Sequence, residues 1–102
     1  MFKKIVLIVS LFISHSAFSE SLGRTIHIDR IFAEGTNKAG FYPKESLPEC
    51  LWGLMYIDLS NEASKAIFSL ALAAKTADQS VVRVDYSKDS TGKCFVSGMH
   101  TK

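Results

Sequence analysis

The fold is decided by residues 50–78, which read CLWGLMYIDLSNEASKAIFSLALAAKTAD. Residues 51–59 are apolar on both faces of an extended chain, so we expect a strand that is buried or covered on both sides. Ser60 stands where a helix N-cap belongs, Glu62 suits the first turn, and an Ala- and Leu-rich segment continues to Asp78. The stretch therefore predicts a buried strand followed by one helix.

Two strand patterns precede this segment. Residues 25–34 begin with alternating apolar and polar side chains and shift phase near Arg30, which indicates a bent or bulged first strand. The turn-rich residues 35–40 are followed by a short second strand that ends near Pro43. Residues 45–49 are predicted to form a loop, so the buried strand is the third along the chain.

Two further strands follow the helix. Residues 80–86 are rich in β-branched side chains, residues 88–93 form a turn, and residues 94–100 form the last strand. The order along the chain is β-β-β-α-β-β, which is the order of the OB-fold, a five-stranded Greek-key barrel. We expect one mostly β, OB-like domain with a single helix, and an unrelated α+β sandwich is the alternative.

The two cysteines, Cys50 and Cys94, are predicted to form a disulfide. In an OB topology the third and fifth strands are parallel neighbours, and the cysteines fall where those strands begin. Neither cysteine has the paired spacing with His27 or His100 that a metal site would need. We therefore expect a disulfide and no metal or cofactor.

The N-terminal residues resemble a secretory signal. Two lysines precede the apolar run Ile5–Ile13, which is far shorter than the roughly 20 residues that span a bilayer. Ala17 and Ser19 place small side chains at the −3 and −1 positions of a cleavage site. We expect cleavage after Ser19, leaving residues 20–102 as one domain in the periplasm or outside the cell; an uncleaved anchor is the alternative.

Charge limits the classes of partner. The chain has 12 basic and 10 acidic residues, and the predicted signal contains Lys3 and Lys4 but no acidic residue. Ten residues of each sign would remain after cleavage, without a basic cluster. Proteins bind nucleic acid and anionic lipid largely through clustered basic side chains, which displace the counterions of the phosphate groups. Because the mature chain would have no such cluster, we expect neither nucleic acid nor a membrane as partner.

The helix and third strand carry more apolar side chains than one small barrel can cover. The expected core stripe of the helix consists of Ala63, Ala66, Ile67, Leu70, Ala74 and Ala77. Phe68 and Leu72 then face outward, which predicts an interface between copies of the chain. The alternative is that the loop before the third strand covers them.

Four segments resemble a family of small exported bacterial OB-fold proteins, the receptor-binding B subunits of subtilase-cytotoxin and pertussis-like toxins. They are residues 56–59, 66–75, 81–86 and 92–94. The resemblance rests on residue types over roughly residues 50–95. It implies a pentameric ring that binds cell-surface glycans, and it transfers no individual binding residue.

The sequence contains no catalytic motif, and we do not expect an enzyme. After residue 19 the only histidines are His27 and His100, and no Gly-x-Ser-x-Gly motif is present. The aromatic side chains that could stack on a sugar are Phe41, Tyr42, Trp52, Tyr56 and Tyr86. OB barrels bind ligands on their second and third strands. The predicted ligand-binding residues are accordingly Tyr42 and Trp52, with Asp58 and Arg83 as hydrogen-bonding partners.

These features predict an exported, non-catalytic binding module that self-associates and takes a glycan or a protein ligand. The alternative is a monomeric periplasmic inhibitor or immunity-type protein. Such a protein would block an enzyme through an exposed loop at residues 35–49.

Overall fold

The structure is a computed structural model that describes residues 19–102. It is mostly β, with one α-helix and one short 3-10 turn, Leu51–Gly53. The elements in chain order are β1 (Ser19–Leu22), β2 (Ile28–Glu34), β3 (Lys38–Pro43), β4 (Met55–Asp58), α1 (Glu62–Thr76), β5 (Val81–Lys88) and β6 (Cys94–Thr101). The prediction of a mostly β chain with one helix is confirmed, but four strands instead of three precede the helix.

Six strands form one mixed sheet in the order β1-β5-β6-β4-β3-β2. Neighbouring strands are antiparallel except β4 and β6, which are parallel, with Met55 opposite Cys94. The expectation of five strands omits β1, because Ser19–Leu22 contains a single apolar residue and no alternating pattern. The phase shift expected near Arg30 is confirmed as a break in the β2–β3 register between Ile28 and Arg30.

The chain between β1 and β2 also pairs with β5. Ile26 and Val81 exchange two backbone hydrogen bonds, of 2.9 Å and 2.8 Å between N and O. The chain therefore pairs with β5 twice, first at β1 and then at Ile26. It then leaves β5 and pairs with β3 as strand β2.

The strand that was predicted as the third along the chain is β4, and it is shorter than predicted. It starts at Met55 because residues 51–53 form the 3-10 turn, in which Trp52 has a φ of 61° and Gly53 a φ of 68°. Met55 and Ile57 lie in the core, and Tyr56 is 9% exposed on the opposite face. The expectation that this strand is covered on both sides is confirmed for these three residues.

Helix α1 packs against β2, β4 and β6, but its buried stripe differs from the prediction. Of the predicted stripe, Ala74 is buried, Ile67 and Leu70 are partly buried against the core, and Ala63, Ala66 and Ala77 are exposed. The other residues on the buried side are Ser64, Ala71 and Phe68. The bulk of Ile67 and Phe68 decides which face meets the sheet, because alanine offers little apolar area.

The observed buried face of the helix differs from the predicted one, and this corrects the position of one predicted interface residue. Phe68 does not face outward, whereas Leu72 does and is 44% exposed. The helix cap is also displaced by one residue. The Asn61 side chain accepts a hydrogen bond of 2.9 Å from the Ala63 N–H, and Ser60 instead donates to Asp58.

The predicted disulfide is confirmed. Cys50 and Cys94 are bonded, and their Cα atoms lie 5.5 Å apart. Cys50 precedes the 3-10 turn that leads into β4, and Cys94 is the first residue of β6. The bond therefore joins the chain at the start of the two parallel strands.

The predicted signal lies outside the described residues except for Ser19, the first residue of β1. Within residues 19–102, no helix is both long and apolar enough to cross a membrane.

Candidate functional site

The outer face of the sheet, opposite the helix, carries aromatic side chains on four neighbouring strands. Phe32 on β2 lies opposite Gly40 on β3, Gly40 lies opposite Tyr56 on β4, and Tyr56 lies opposite Phe95 on β6. Side chains at directly opposite positions share one face of a sheet. Tyr42 is two residues beyond Gly40 on the same face. We call Phe32, Tyr42, Tyr56 and Phe95 the aromatic row.

The rings of the aromatic row contact one another in sequence. The Phe32 ring centroid lies 5.8 Å from that of Tyr42 and 5.9 Å from that of Tyr56. Tyr56 and Phe95 stack with their centroids 5.6 Å apart. These distances are typical of stabilising aromatic pairs. The Arg30 guanidinium lies 4.2 Å from the centre of the Tyr42 ring and extends the row with a cation.

Gly40 leaves room for the row. A Cβ atom at this position would approach the Met55 carbonyl oxygen and would lie 2.7 Å from Cζ of Phe32. The Phe32 ring therefore lies directly on the backbone of β3, between Tyr42 and Tyr56. An aromatic ring that covers a cross-strand glycine is a known way of filling a gap in a sheet.

A cleft of about 450 Å³ opens beside the row. Its lining residues are Glu34, Gly35, Thr36, Asn37, Lys38, Tyr56, Ile57, Asp58, Lys93 and Phe95. The turn between β2 and β3 supplies one wall, and the end of β4 and the start of β6 supply the others. The cleft thus combines two aromatic rings with charged, amide and hydroxyl groups.

Lys93 joins the cleft to Trp52. Its Nζ atom lies 5.6 Å from the centre of the Trp52 ring and 5.7 Å from that of Tyr56. An ammonium between two aromatic faces gains cation–π stabilisation. Trp52 extends the aromatic surface past the cleft.

Trp52 combines exposure with an unusual backbone conformation. Its side chain is 65% exposed, and its φ of 61° lies in the left-handed region that bulky residues rarely adopt. Such conformations cost of the order of 1–3 kcal/mol and persist where the surrounding structure enforces them. Here the neighbouring Cys50–Cys94 bond anchors the turn.

The pKa values at the cleft are consistent with its structure. Burial raises the pKa of the Tyr56 phenol, with smaller contributions from Tyr42, Glu34 and Asp89. Hydrogen bonds from the Ser60 hydroxyl and backbone N–H lower the pKa of Asp58. Tyr56 is therefore a neutral donor and Asp58 an ionised acceptor at neutral pH.

The structure brings three of the four predicted ligand residues to this region. Tyr42 belongs to the aromatic row, Asp58 lines the cleft, and Trp52 contacts the cleft residue Lys93. Arg83 lies on β5, where it donates a 3.0 Å hydrogen bond to Asp85, and it does not line the cleft.

Sequence reasoning missed several residues of this surface. Phe32, Phe95, Lys93, Arg30 and Gly40 are not among the candidates, although each lies next to one. Arg30 lies opposite Tyr42, and Gly40 and Phe95 lie opposite Tyr56, so strand pairing is the signal that could have indicated these three. Two other aromatic candidates, Phe41 and Tyr86, are buried in the core.

Ion pairs elsewhere hold the loop between β3 and the 3-10 turn. Arg24 binds both carboxylate oxygens of Glu49, and the backbone N–H and ring of His27 bind Glu45 at 2.7 Å each. Among the described residues, no group of three potential metal-binding side chains is present. These contacts tie the loop to the segment before β2.

Comparison of the chain with known protein families, curated proteins and solved structures finds no match. The function is therefore argued from the geometry of the aromatic row and its cleft.

Proposed function

We propose that this chain is an exported, non-catalytic module that binds a saccharide on the aromatic row and in the adjoining cleft. The observation that carries the proposal is the continuous row from Tyr42 through Phe32 and Tyr56 to Phe95, on the face of the sheet away from the helix. Aromatic faces stack on the apolar faces of sugar rings, because both surfaces lose water on contact.

The polar lining of the cleft supports a saccharide over a purely apolar ligand. Asn37 and Thr36 offer amide and hydroxyl groups, and Asp58 offers a carboxylate. Sugar hydroxyls both donate and accept hydrogen bonds, so this mixture suits them. The volume of about 450 Å³ is within the usual range for small-molecule sites.

The fold that we propose is an OB-like barrel. The parallel pair β4–β6 and the helix between β4 and β5 support this proposal. The Ile26–Val81 bridge supports it further, because it brings the segment before β2 against β5. In such a barrel, the row would occupy strands that OB-folds use for ligands.

Self-association, as in toxin B subunits, remains part of the proposal. Leu72 and Trp52 are large apolar side chains that are 44% and 65% exposed, and association would bury such surfaces. The alternative inhibitor needs a long loop over residues 35–49. Six of these 15 residues are not a loop, because β3 takes up Lys38–Pro43.

The test is a glycan array probed with the full chain, expressed for export, and with two variants. Tyr42→Ala and Trp52→Ala remove aromatic surface, and Lys75→Gln, at an exposed position of α1, is the control. We expect sugar binding to fall in both aromatic variants and to persist in the control. A folded protein that binds no glycan would overturn the proposal. Sedimentation of the same samples tests association, and a single-chain mass would contradict the ring.

A further inference from the structure

The cleft beside the aromatic row contains two charges of each sign. Glu34 and Asp58 are acidic, and Lys38 and Lys93 are basic. Within residues 19–102, none of the four takes part in an ion pair with another side chain. The cleft is therefore neutral overall but locally polarised, and its charges are available to a ligand.

The acidic groups lie along one wall. Glu34 is directly opposite Lys38, and Lys38 is directly opposite Asp58 in the next strand. The three side chains therefore form a cross-strand row in which carboxylates flank one ammonium. Asp58 accepts hydrogen bonds from Ser60 and so has a fixed orientation.

The second ammonium lies at the other side of Tyr56. Lys93 is held near the rings of Trp52 and Tyr56. The neighbouring carboxylate of Asp89 forms no ion pair with the Lys93 ammonium; its Oδ1 accepts from the Thr91 hydroxyl and from the backbone N–H groups of Thr91 and Lys93. Lys93 is thus positioned for an anionic group.

Ligands of one charge gain less from such a site than a zwitterion does. An anion attracted by Lys93 would be repelled by Glu34 and Asp58, and a cation attracted by those carboxylates would be repelled by Lys38 and Lys93. A ligand with an ammonium at one end and an anionic group at the other meets complementary charge at both. Phe95, which is partly exposed and supported from behind by Tyr56, provides the surface for the ring between these ends.

We infer that the cleft binds a zwitterionic saccharide, an amino sugar that also carries an acidic group. Its ring stacks on the partly exposed Phe95, its ammonium faces the carboxylates of Glu34 and Asp58, and its acidic group meets Lys93. This inference rests on the proposed saccharide-binding function and specifies the class of sugar.

Four related sugars provide a matched test by isothermal titration calorimetry at low ionic strength. Muramic acid has an ammonium and a carboxylate, N-acetylmuramic acid has only the carboxylate, glucosamine has only the ammonium, and N-acetylglucosamine has neither. We expect each charge to tighten binding about threefold, as for partly exposed ion pairs. Muramic acid should therefore bind about tenfold tighter than N-acetylglucosamine.

Two variants assign the charges to residues. Glu34→Gln should reduce the advantage of glucosamine over N-acetylglucosamine and preserve that of N-acetylmuramic acid. Lys93→Gln should have the opposite effect. Lys75→Gln, on the exposed side of α1, is the matched control and should change neither.

The outcomes separate this inference from the proposed function. Equal binding of all four sugars, or tightest binding of a singly charged one, would overturn the zwitterion while leaving saccharide binding intact. Absence of binding by all four, together with a glycan array without signal, would overturn both. Alanine, a zwitterion without a sugar ring, should bind at least tenfold more weakly than muramic acid; equal affinity would overturn the saccharide assignment.

Discussion

The ring of Phe32 rests on Gly40, its partner across the β2–β3 hairpin, at a distance where a Cβ atom on residue 40 would lie 2.7 Å from Cζ of the ring. This contact couples the packing of the sheet to the surface that we propose for ligand binding. Phe32 is the ring that joins Tyr42 to Tyr56. Displacing it divides the row.

Gly40→Ala tests this coupling. The added methyl group would clash with the Met55 carbonyl oxygen and with the Phe32 ring, so both must shift, and overpacking of this kind usually lowers the free energy of unfolding by about 1–3 kcal/mol. Gly23→Ala is the control, because a Cβ there meets nothing within 4 Å. Urea unfolding should show a loss for the first variant and little change for the second. Equal stability of the two variants would contradict the described packing.

The Cys50–Cys94 bond should supply a large share of the stability. It joins residues 44 positions apart, and a cross-link of that span removes about 4 kcal/mol of denatured-state freedom in the chain-entropy account. Guanidinium unfolding of the double variant Cys50→Ala with Cys94→Ala should show a loss of this order. Each single variant already lacks the bond and should lose nearly as much. A loss below about 1 kcal/mol would contradict this account.

Acid should weaken the Arg24–Glu49 pair. Arg24 lowers the pKa of Glu49 from its ordinary 4.5 to about 2, so the pair stabilises the folded state above pH 4.5. That contribution is lost as the pH falls toward 2. The side chains are 39% and 30% exposed, which limits its size to about 1 kcal/mol.

The measurement is urea unfolding of the wild type and Glu49→Gln between pH 7 and pH 2. The variant should be less stable at pH 7, and the difference should vanish near pH 2. Glu20→Gln, on the exposed face of β1, is the control and should follow the wild type. A difference that grows with acidification would have the wrong sign for this ion pair.

The helix cap gives a test of one-residue precision. Asn61→Ala removes the side chain that accepts from the Ala63 N–H and should lower stability by about 1 kcal/mol. Ser60→Ala removes an exposed hydrogen bond to Asp58 and should cost less than half as much. Thermal unfolding followed by circular dichroism measures both. A larger loss of stability in Ser60→Ala than in Asn61→Ala would indicate that Ser60 is the cap.

Local patterns predicted much of the fold. Three features of the structure follow from patterns in the sequence. They are β2, from the alternation before Arg30, β4, from the apolar run at Met55–Ile57, and the disulfide, from the two cysteines. Strand β1 could not be predicted in this way, because Ser19–Leu22 has a single core residue, Leu22, and otherwise depends on backbone pairing with β5.

The site was harder to predict than the fold. Tyr42, Trp52 and Asp58, predicted from residue type and position, lie at or beside the cleft. Arg83 was predicted with them but lies on β5 away from the cleft, because its position depends on the order of strands in the sheet. Phe68 was misplaced by the phase of the helix, which tertiary packing decides.

Saccharide binding by the outer face of the sheet can be tested by chemical-shift mapping of the isotopically labelled chain during titration with muramic acid. We expect the amide signals of Phe32, Tyr56, Lys93 and their neighbours to shift, and the amide signals of the helix around Leu72 to stay unchanged. Shifts confined to the helix, or a spectrum that does not change at millimolar sugar, would contradict saccharide binding by the outer face of the sheet.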